Sequence, residues 1–408
     1  MTLPPALCYV RLVLGLLPLL AQKRVILCVG CGGVGKTTTA AALGLAAAAQ
    51  GARVLCLTID PAKRLANSLG LREMRGEAQT VERARFEAAG LEVSGSLTVM
   101  MLDTKRTFDE LVTRHASSPE ARDKILHNRL YKYVSTSLAG THEYMAMEKL
   151  WAVKRSGGYD LILLDTPPTA NALDFLDAPE RLVDALDSAA MKWLIDALQE
   201  SGKLSLNLVA RGAAIVLRGI GRLTGGGFLE QMAEFVAELN DLFGGFKERA
   251  REVAASLRGP DVAYVLVTSP EPMSLQEVLF FSERLAEQGM PRDAFVVNRV
   301  HRAPALRATA AEAEAALGRQ GLELGEGAAQ RLVAALDDEV RWAAIDASRL
   351  RRLTEALQGM TPRPLRVDVP ALPYDVHDLR SLAEVAGVLV GGGGSRGGQG
   401  GVKIVTKA

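Results

Sequence analysis

After Cys56 the chain has no cysteine; all four, at positions 8, 28, 31 and 56, fall in the first seventh of its 408 residues. That distribution excludes a disulfide framework and makes a reducing cytoplasm the expected compartment. Net charge is scarce as well: the formal balance is +1, so bulk electrostatics gives nucleic acid no reason to bind. Long apolar runs are missing too. Residues 6–21 are mostly apolar, but Arg11 interrupts them, Pro18 breaks them, and no small-residue cleavage site separates them from Val25. The uninterrupted part is too short to cross a bilayer, so residues 1–21 are expected to be an N-terminal extension, disordered or loosely docked.

What is present is a sizeable apolar complement, 48% of the residues, and a length that fits one large domain or two smaller ones. The most informative stretch begins at Val25. A β-branched, apolar run stops at the cluster Gly30-Cys31-Gly32-Gly33-Val34-Gly35-Lys36-Thr37-Thr38 and passes directly into an Ala-rich segment, Thr37 to Gln50, that reads as helix. Gly30, Gly35, Lys36 and Thr37 have the spacing of a nucleotide phosphate loop. Glycines let backbone N–H groups surround phosphate oxygens, Lys36 would neutralise the β- and γ-phosphates, and the Thr37 hydroxyl would ligate Mg²⁺. Cys28 and Cys31 spell C-x-x-C, but one falls in the strand and the other in the loop, which does not suit a metal or redox pair.

Strands then alternate with helices. Arg53 to Asp60 is a second buried strand, which makes a right-handed βαβ unit with its phosphate site at the strand's carboxyl end. Asp60 reads either as an N-cap for the segment beginning at Pro61, or as a functional carboxylate that positions water for attack on the γ-phosphate or contacts Mg²⁺ through one of its waters. Leu97 to Leu102 is another strand, and residues 105–154 look helical. Tyr159 to Asp165 ends four apolar residues in a carboxylate, the form of a strand that delivers an acid beside Mg²⁺. The stiff Thr166-Pro167-Pro168-Thr169 after it suits a switch that senses the γ-phosphate. Strands at Ala263–Thr268, Ala294–Arg299 and Leu365–Val369 follow, with a helical hairpin over Ala303–Leu357 and a last helix near Asp378–Val388. Asn298, at a strand end, offers the acceptor and donor that an adenine edge requires. Between Ser201 and Gly227 there is no acidic residue, and Arg211, Arg218 and Arg222 share one helical face. That stripe suits a membrane surface or an apolar client, and somewhat better an insertion helix packed on its neighbours with snorkelling arginines. Gly391 to Gly401 is glycine-rich and expected to be disordered.

Four blocks give the chain a family likeness: Gly30 to Thr38, Asp60-Pro61-Ala62, Asp165 to Thr169, and Val267 to Glu271 running on to Asn298. Over residues 22–389 it resembles the arsenite-pump and tail-anchored-protein-targeting ATPases, within the wider ParA/MinD-like group. The resemblance implies an α/β fold: a mostly parallel, doubly wound P-loop NTPase sheet with helices on both faces and an inserted helical subdomain, here about 105–155 and 180–258, before a Gly-rich tail at 390–408. It implies ATP hydrolysis with Mg²⁺ across a dimer interface. Carried over by position, Lys36 and Thr37 bind phosphate and Mg²⁺, Asp60 activates water, Asp165 is the second-switch carboxylate and Asn298 reads adenine.

The chain departs from the family pattern in informative places. The family's loop usually has lysine where this chain has Cys31, and that lysine reaches the partner's nucleotide. The switch histidine after Thr169 is missing, as are the zinc-binding cysteine pair and the arsenite-binding cysteines. The ATPase unit occurs once, so the resemblance implies a homodimer or a heterodimer with a paralogue. Three functions follow: a nucleotide-driven dimer switch that handles an apolar polypeptide or membrane-surface partner, a weakly hydrolysing subunit beside a lysine-bearing paralogue, and an arsenite or anion pump subunit. The last is disfavoured, because As(III) needs several convergent thiolates. None involves nucleic acid, and all are cytoplasmic, with membrane association as an option.

Overall fold

The computed structural model describes residues 15–59, 65, 69, 76–128, 131, 141–166, 177–178, 180–181, 184, 248–320 and 325–391. Asp60, the stretch 167–176 with its two prolines, the Arg211–Arg222 stripe and the Gly-rich tail beyond 391 lie outside these residues.

The chain builds one eight-stranded sheet in the order β3-β4-β2-β5-β1-β6-β7-β8. The strands are β1 (Val25–Val29), β2 (Arg53–Thr58), β3 (Gln79–Thr80), β4 (Ser96–Met101), β5 (Leu161–Asp165), β6 (Val262–Thr268), β7 (Ala294–Val300) and β8 (Leu365–Pro370). All neighbours pair in parallel except β3 with β4. Strands buried on both faces need continuous apolar runs rather than alternation, which is what β1, β2, β5 and β6 carry.

The period of two then divides each run between two cores. Ile26, Cys28, Val54, Cys56, Leu161 and Leu163 pack toward the helices Lys36–Ala49 and Leu379–Leu389. Leu27, Val29, Leu55, Leu57, Ile162 and Leu164 pack toward Thr141–Ser156, Pro272–Glu287 and Ala328–Gln358. Each fully buried aliphatic side chain contributes about 1.5–3 kcal/mol relative to exposure, so the central strands supply much of the stability. On the first face the helix Lys36–Ala49 lies very close to the sheet. A Cβ on Gly44 would stand 2.6 Å from the Cys56 Sγ.

A third core lies among helices. Phe108, Leu111 and Val112 of Thr104–His115 meet Ile125, Tyr131, Tyr144 and Met145. Phe108 and Tyr131 pack edge to face, centroids 5.4 Å apart. The helices Thr104–His115, Pro119–His127 and Thr141–Ser156 occupy the region expected to be the first helical insertion. The caps are legible chemistry: Asp103 accepts from Arg106 N–H, Ser118 from Ala121 N–H, and Thr309 and Glu312 form a capping box.

Of the extension expected to be disordered or loosely docked, residues 15–21 take the docked form. Leu17–Gln22 is a helix. Leu16 is fully buried, and its N–H donates to Leu389 O at 2.8 Å. Leu16 and Leu19 are buried in the same core as Leu379, Leu382 and Leu389. Gly15 sits so close that a Cβ there would lie 2.4 Å from Leu389 O.

Candidate nucleotide site

The loop after β1 is bounded by two glycines at which a side chain would be strained. Gly30 has φ +154°, and a Cβ there would fall 2.1 Å from Val267 O on β6. Gly35 has φ +99° and is the N-cap of Lys36–Ala49. That helix start has no side-chain cap and no acidic residue in its first turn. Its first N–H groups and the positive end of its dipole are therefore directed at the loop, a donor set that fits phosphate. Between these two positions Gly32 and Gly33 are exposed, while Cys31 and Val34 are buried.

Lys36 is buried, and its ammonium donates to the Cys31 carbonyl at 2.8 Å. The side chain thus spans the loop it follows in sequence. Thr37 donates its hydroxyl to Asp165 Oδ2 at 2.7 Å. Asp165 is delivered there by register: it sits opposite Cys28 of β1 and Thr58 of β2 at the carboxyl ends of three adjacent strands. Thr58 Oγ1 donates to the same Oδ2 at 3.1 Å. Thr166 closes the arrangement, its hydroxyl donating to Cys28 O at 2.8 Å. Sequence reasoning missed Thr58, and it placed Thr166 in the switch stretch without foreseeing its bond to Cys28 O. A hydroxyl terminating the apolar run Val54–Leu57 is the signal that could have identified the first.

A hydroxyl and a carboxylate meeting beside an uncapped helix start form an oxygen-only set, which suits a hard cation such as Mg²⁺ held together with phosphate oxygens. Burial pushes the thiols of Cys28, Cys31 and Cys56 above their usual range, the direction that opposes thiolate chemistry. Cys31 Sγ lies 4.0 Å from Ser274 O, at the start of Pro272–Glu287. Asn298 is at the loop's other flank. Its Nδ2 donates to Val34 O at 2.9 Å and its Oδ1 accepts from Arg299 N–H at 3.0 Å. Of the sequence-expected residues, the structure gathers the loop from Gly30 to Thr38 with Asp165 and Asn298; Asp60 is outside the described residues.

The family model described as Anion-transporting ATPase matches residues 23–316 of the 408. The chain belongs to the anion-transporting ATPase family. Among curated members, "Putative arsenical pump-driving ATPase 1" of Aquifex aeolicus (strain VF5) is 27% identical over 282 residues, 68% of this chain and 63% of that protein. "ATPase get3" of Aspergillus terreus (strain NIH 2624 / FGSC A1156) is 27% identical over 273 residues, 66% of this chain and 71% of that protein. An uncharacterised Streptomyces coelicolor (strain ATCC BAA-471 / A3(2) / M145) protein is 30% identical over 282 residues, 68% of this chain and 62% of that protein. The chain therefore spans under two thirds of the length of two of these three relatives. Among the described residues of this anion-transporting ATPase family member, no helix is long and apolar enough to cross a membrane.

Proposed function

We propose that the chain binds Mg·ATP at the loop Gly30–Thr38, hydrolyses it, and uses the nucleotide state to open and close a dimer that handles an apolar polypeptide or a membrane surface. The observation that carries this reading is the hydrogen bond of 2.7 Å between Thr37 Oγ1 and Asp165 Oδ2, beside a helix start with no cap of its own. Lys36 exchanges its Cys31 carbonyl for phosphate oxygens and neutralises them. Thr37 and Asp165 hold the metal, which when bound polarises the terminal phosphate. Asp60 positions the water. The apolar, basic stretch around Arg211–Arg222 is the part of the sequence that suits the client.

Calorimetry tests the site. The wild type is expected to release or absorb heat on mixing with Mg·ATP and to turn it over, and Lys36→Ala to do neither. A wild type with no heat and no turnover, or a Lys36→Ala variant of unchanged affinity, overturns the proposal. A second reading, a slow subunit completed by a lysine-bearing paralogue, is favoured by Cys31: its buried thiol, turned onto Ser274 O, offers no cation to a partner's nucleotide. An arsenite pump subunit is opposed by the same chemistry, because the described cysteines are buried and their thiols raised.

A further inference from the structure

The end of β7 is irregular, and the irregularity reaches the phosphate loop. Pairing with β8 runs in register from Ala294↔Leu365 to Val297↔Asp368, then shifts before Val300↔Pro370. Asn298 and Arg299 are the residues inside the shift. Arg299 has φ +60° and is the one non-glycine residue with positive φ among the described residues. An arginine rarely adopts that conformation without something to hold it there. Two sets of bonds hold it. On one side, the Arg299 N–H donates to Asn298 Oδ1. On the other, His301 donates its backbone N–H to Asp346 Oδ2 at 3.0 Å, and its ring lies 2.8 Å from the same oxygen. Asp346 is buried on the long helix Ala328–Gln358.

The bulge thus presents the Asn298 amide in a fixed orientation, and Val34 O receives it at 2.9 Å. The next residue, Gly35, makes room for this: a Cβ there would stand 2.3 Å from Asn298 Nδ2. A trans peptide is planar, so its C=O and N–H point in opposite directions. Holding the Val34 carbonyl on β7 therefore aims the Gly35 N–H away from β7. A loop that binds anions through its amides gains from having them aimed before the ligand arrives.

We propose that Asn298 is a positioning residue for the phosphate loop, fixing the Val34–Gly35 peptide through its amide, and that it does so whatever base the ligand carries. This rests on the phosphate-site reading above and deepens it, because a ligand with no base at all should need Asn298 as much as ATP does.

The test compares Mg·ATP with Mg·tripolyphosphate, by calorimetry, on wild type, Asn298→Asp and Asn298→Ala. Asn298→Asp sets a carboxylate oxygen against the Val34 carbonyl, and both ligands are expected to weaken by the same factor, roughly tenfold. Lowering the pH should restore that variant toward wild type, measured as the ratio at each pH, because a protonated carboxyl again supplies a donor to Val34 O. Asn298→Ala should weaken both ligands and show no such recovery. A merely structural loss would not follow the pH. Should Asn298→Asp fail to fold, Asn298→Ala with tripolyphosphate decides alone. Variants that lose ATP but keep wild-type affinity for tripolyphosphate show base reading only and overturn the proposal. A wild type that binds neither ligand overturns the phosphate-site reading itself, and this one with it.

Discussion

At Cys31 one side chain decides between two modes of action. Its thiol is buried against the first turn of Pro272–Glu287, and the neighbouring Met273 is exposed. A lysine at position 31 would add a flexible cation beside the exposed Gly32 and Gly33 edge. If this chain depends on a partner's cation, Cys31→Lys supplies one. Steady-state turnover of the variant alone should then rise, about a hundredfold by analogy with other cationic or hydrogen-bonding stabilisers of transition-state charge. Unchanged turnover removes the reason for a lysine-bearing partner. The loop, its lysine and the acid at the end of β5 were legible in sequence because each residue type has a chemical reason to stand at its spacing. The contact of Asn298 with Val34 was not legible: it depends on a register shift of β7 against β8, and no residue type marks where pairing slips.

Among elements, the helix Lys36–Ala49 and the sheet beneath it are held at a separation set by small residues. Gly44 faces Cys56, Leu97 and Leu163, whose nearest atoms would lie 2.6, 3.1 and 3.1 Å from an added Cβ. In an exposed helix Gly→Ala gains about 1 kcal/mol. Here the added methyl meets packed sulfur and leucine, and overpacking costs about 1–3 kcal/mol. Gly44→Ala should therefore lower the denaturation midpoint, and Cys56→Ala in the same chain should return part of the loss, a coupling that a double-mutant cycle in urea measures. No loss in the single variant, or strict additivity in the pair, contradicts this packing. Element type was largely readable: the strands expected at Leu97–Leu102, Ala263–Thr268 and Leu365–Val369 appear as Ser96–Met101, Val262–Thr268 and Leu365–Pro370. β3 escaped because two residues, Gln79 and Thr80, carry no periodicity; it exists through its antiparallel pairing with β4. The strand order is likewise a property of packing, since nothing in β5 itself says that it inserts between β1 and β2.

Across the whole molecule, two distant parts of the chain, the helix Thr141–Ser156 and the helical segment around residue 249, meet at a buried carboxyl. Glu148, on Thr141–Ser156, is 4% exposed and receives Tyr144 OH at 3.2 Å, and Arg249 Nε stands 3.8 Å from its other oxygen. Burial raises this carboxyl above its ordinary range, and Arg249 opposes the rise without cancelling it. The folded state therefore holds the Glu148 proton more tightly than the unfolded chain does. Its favourable contribution is complete below the unfolded carboxyl range and is lost as pH rises through the folded value. Against Glu148→Gln, the wild type's relative stability should shrink as pH rises from about 4 through the raised folded value, then level off. A difference that grows with pH reverses the sign and refutes the assignment.

The bond from Leu16 to Leu389 has a consequence beyond stability. It brings two stretches from opposite ends of the numbering to a single point. Residues 15 and 391 lie beside each other there. A label joined directly at residue 15 and one joined at residue 391 would therefore report on the same spot of the surface.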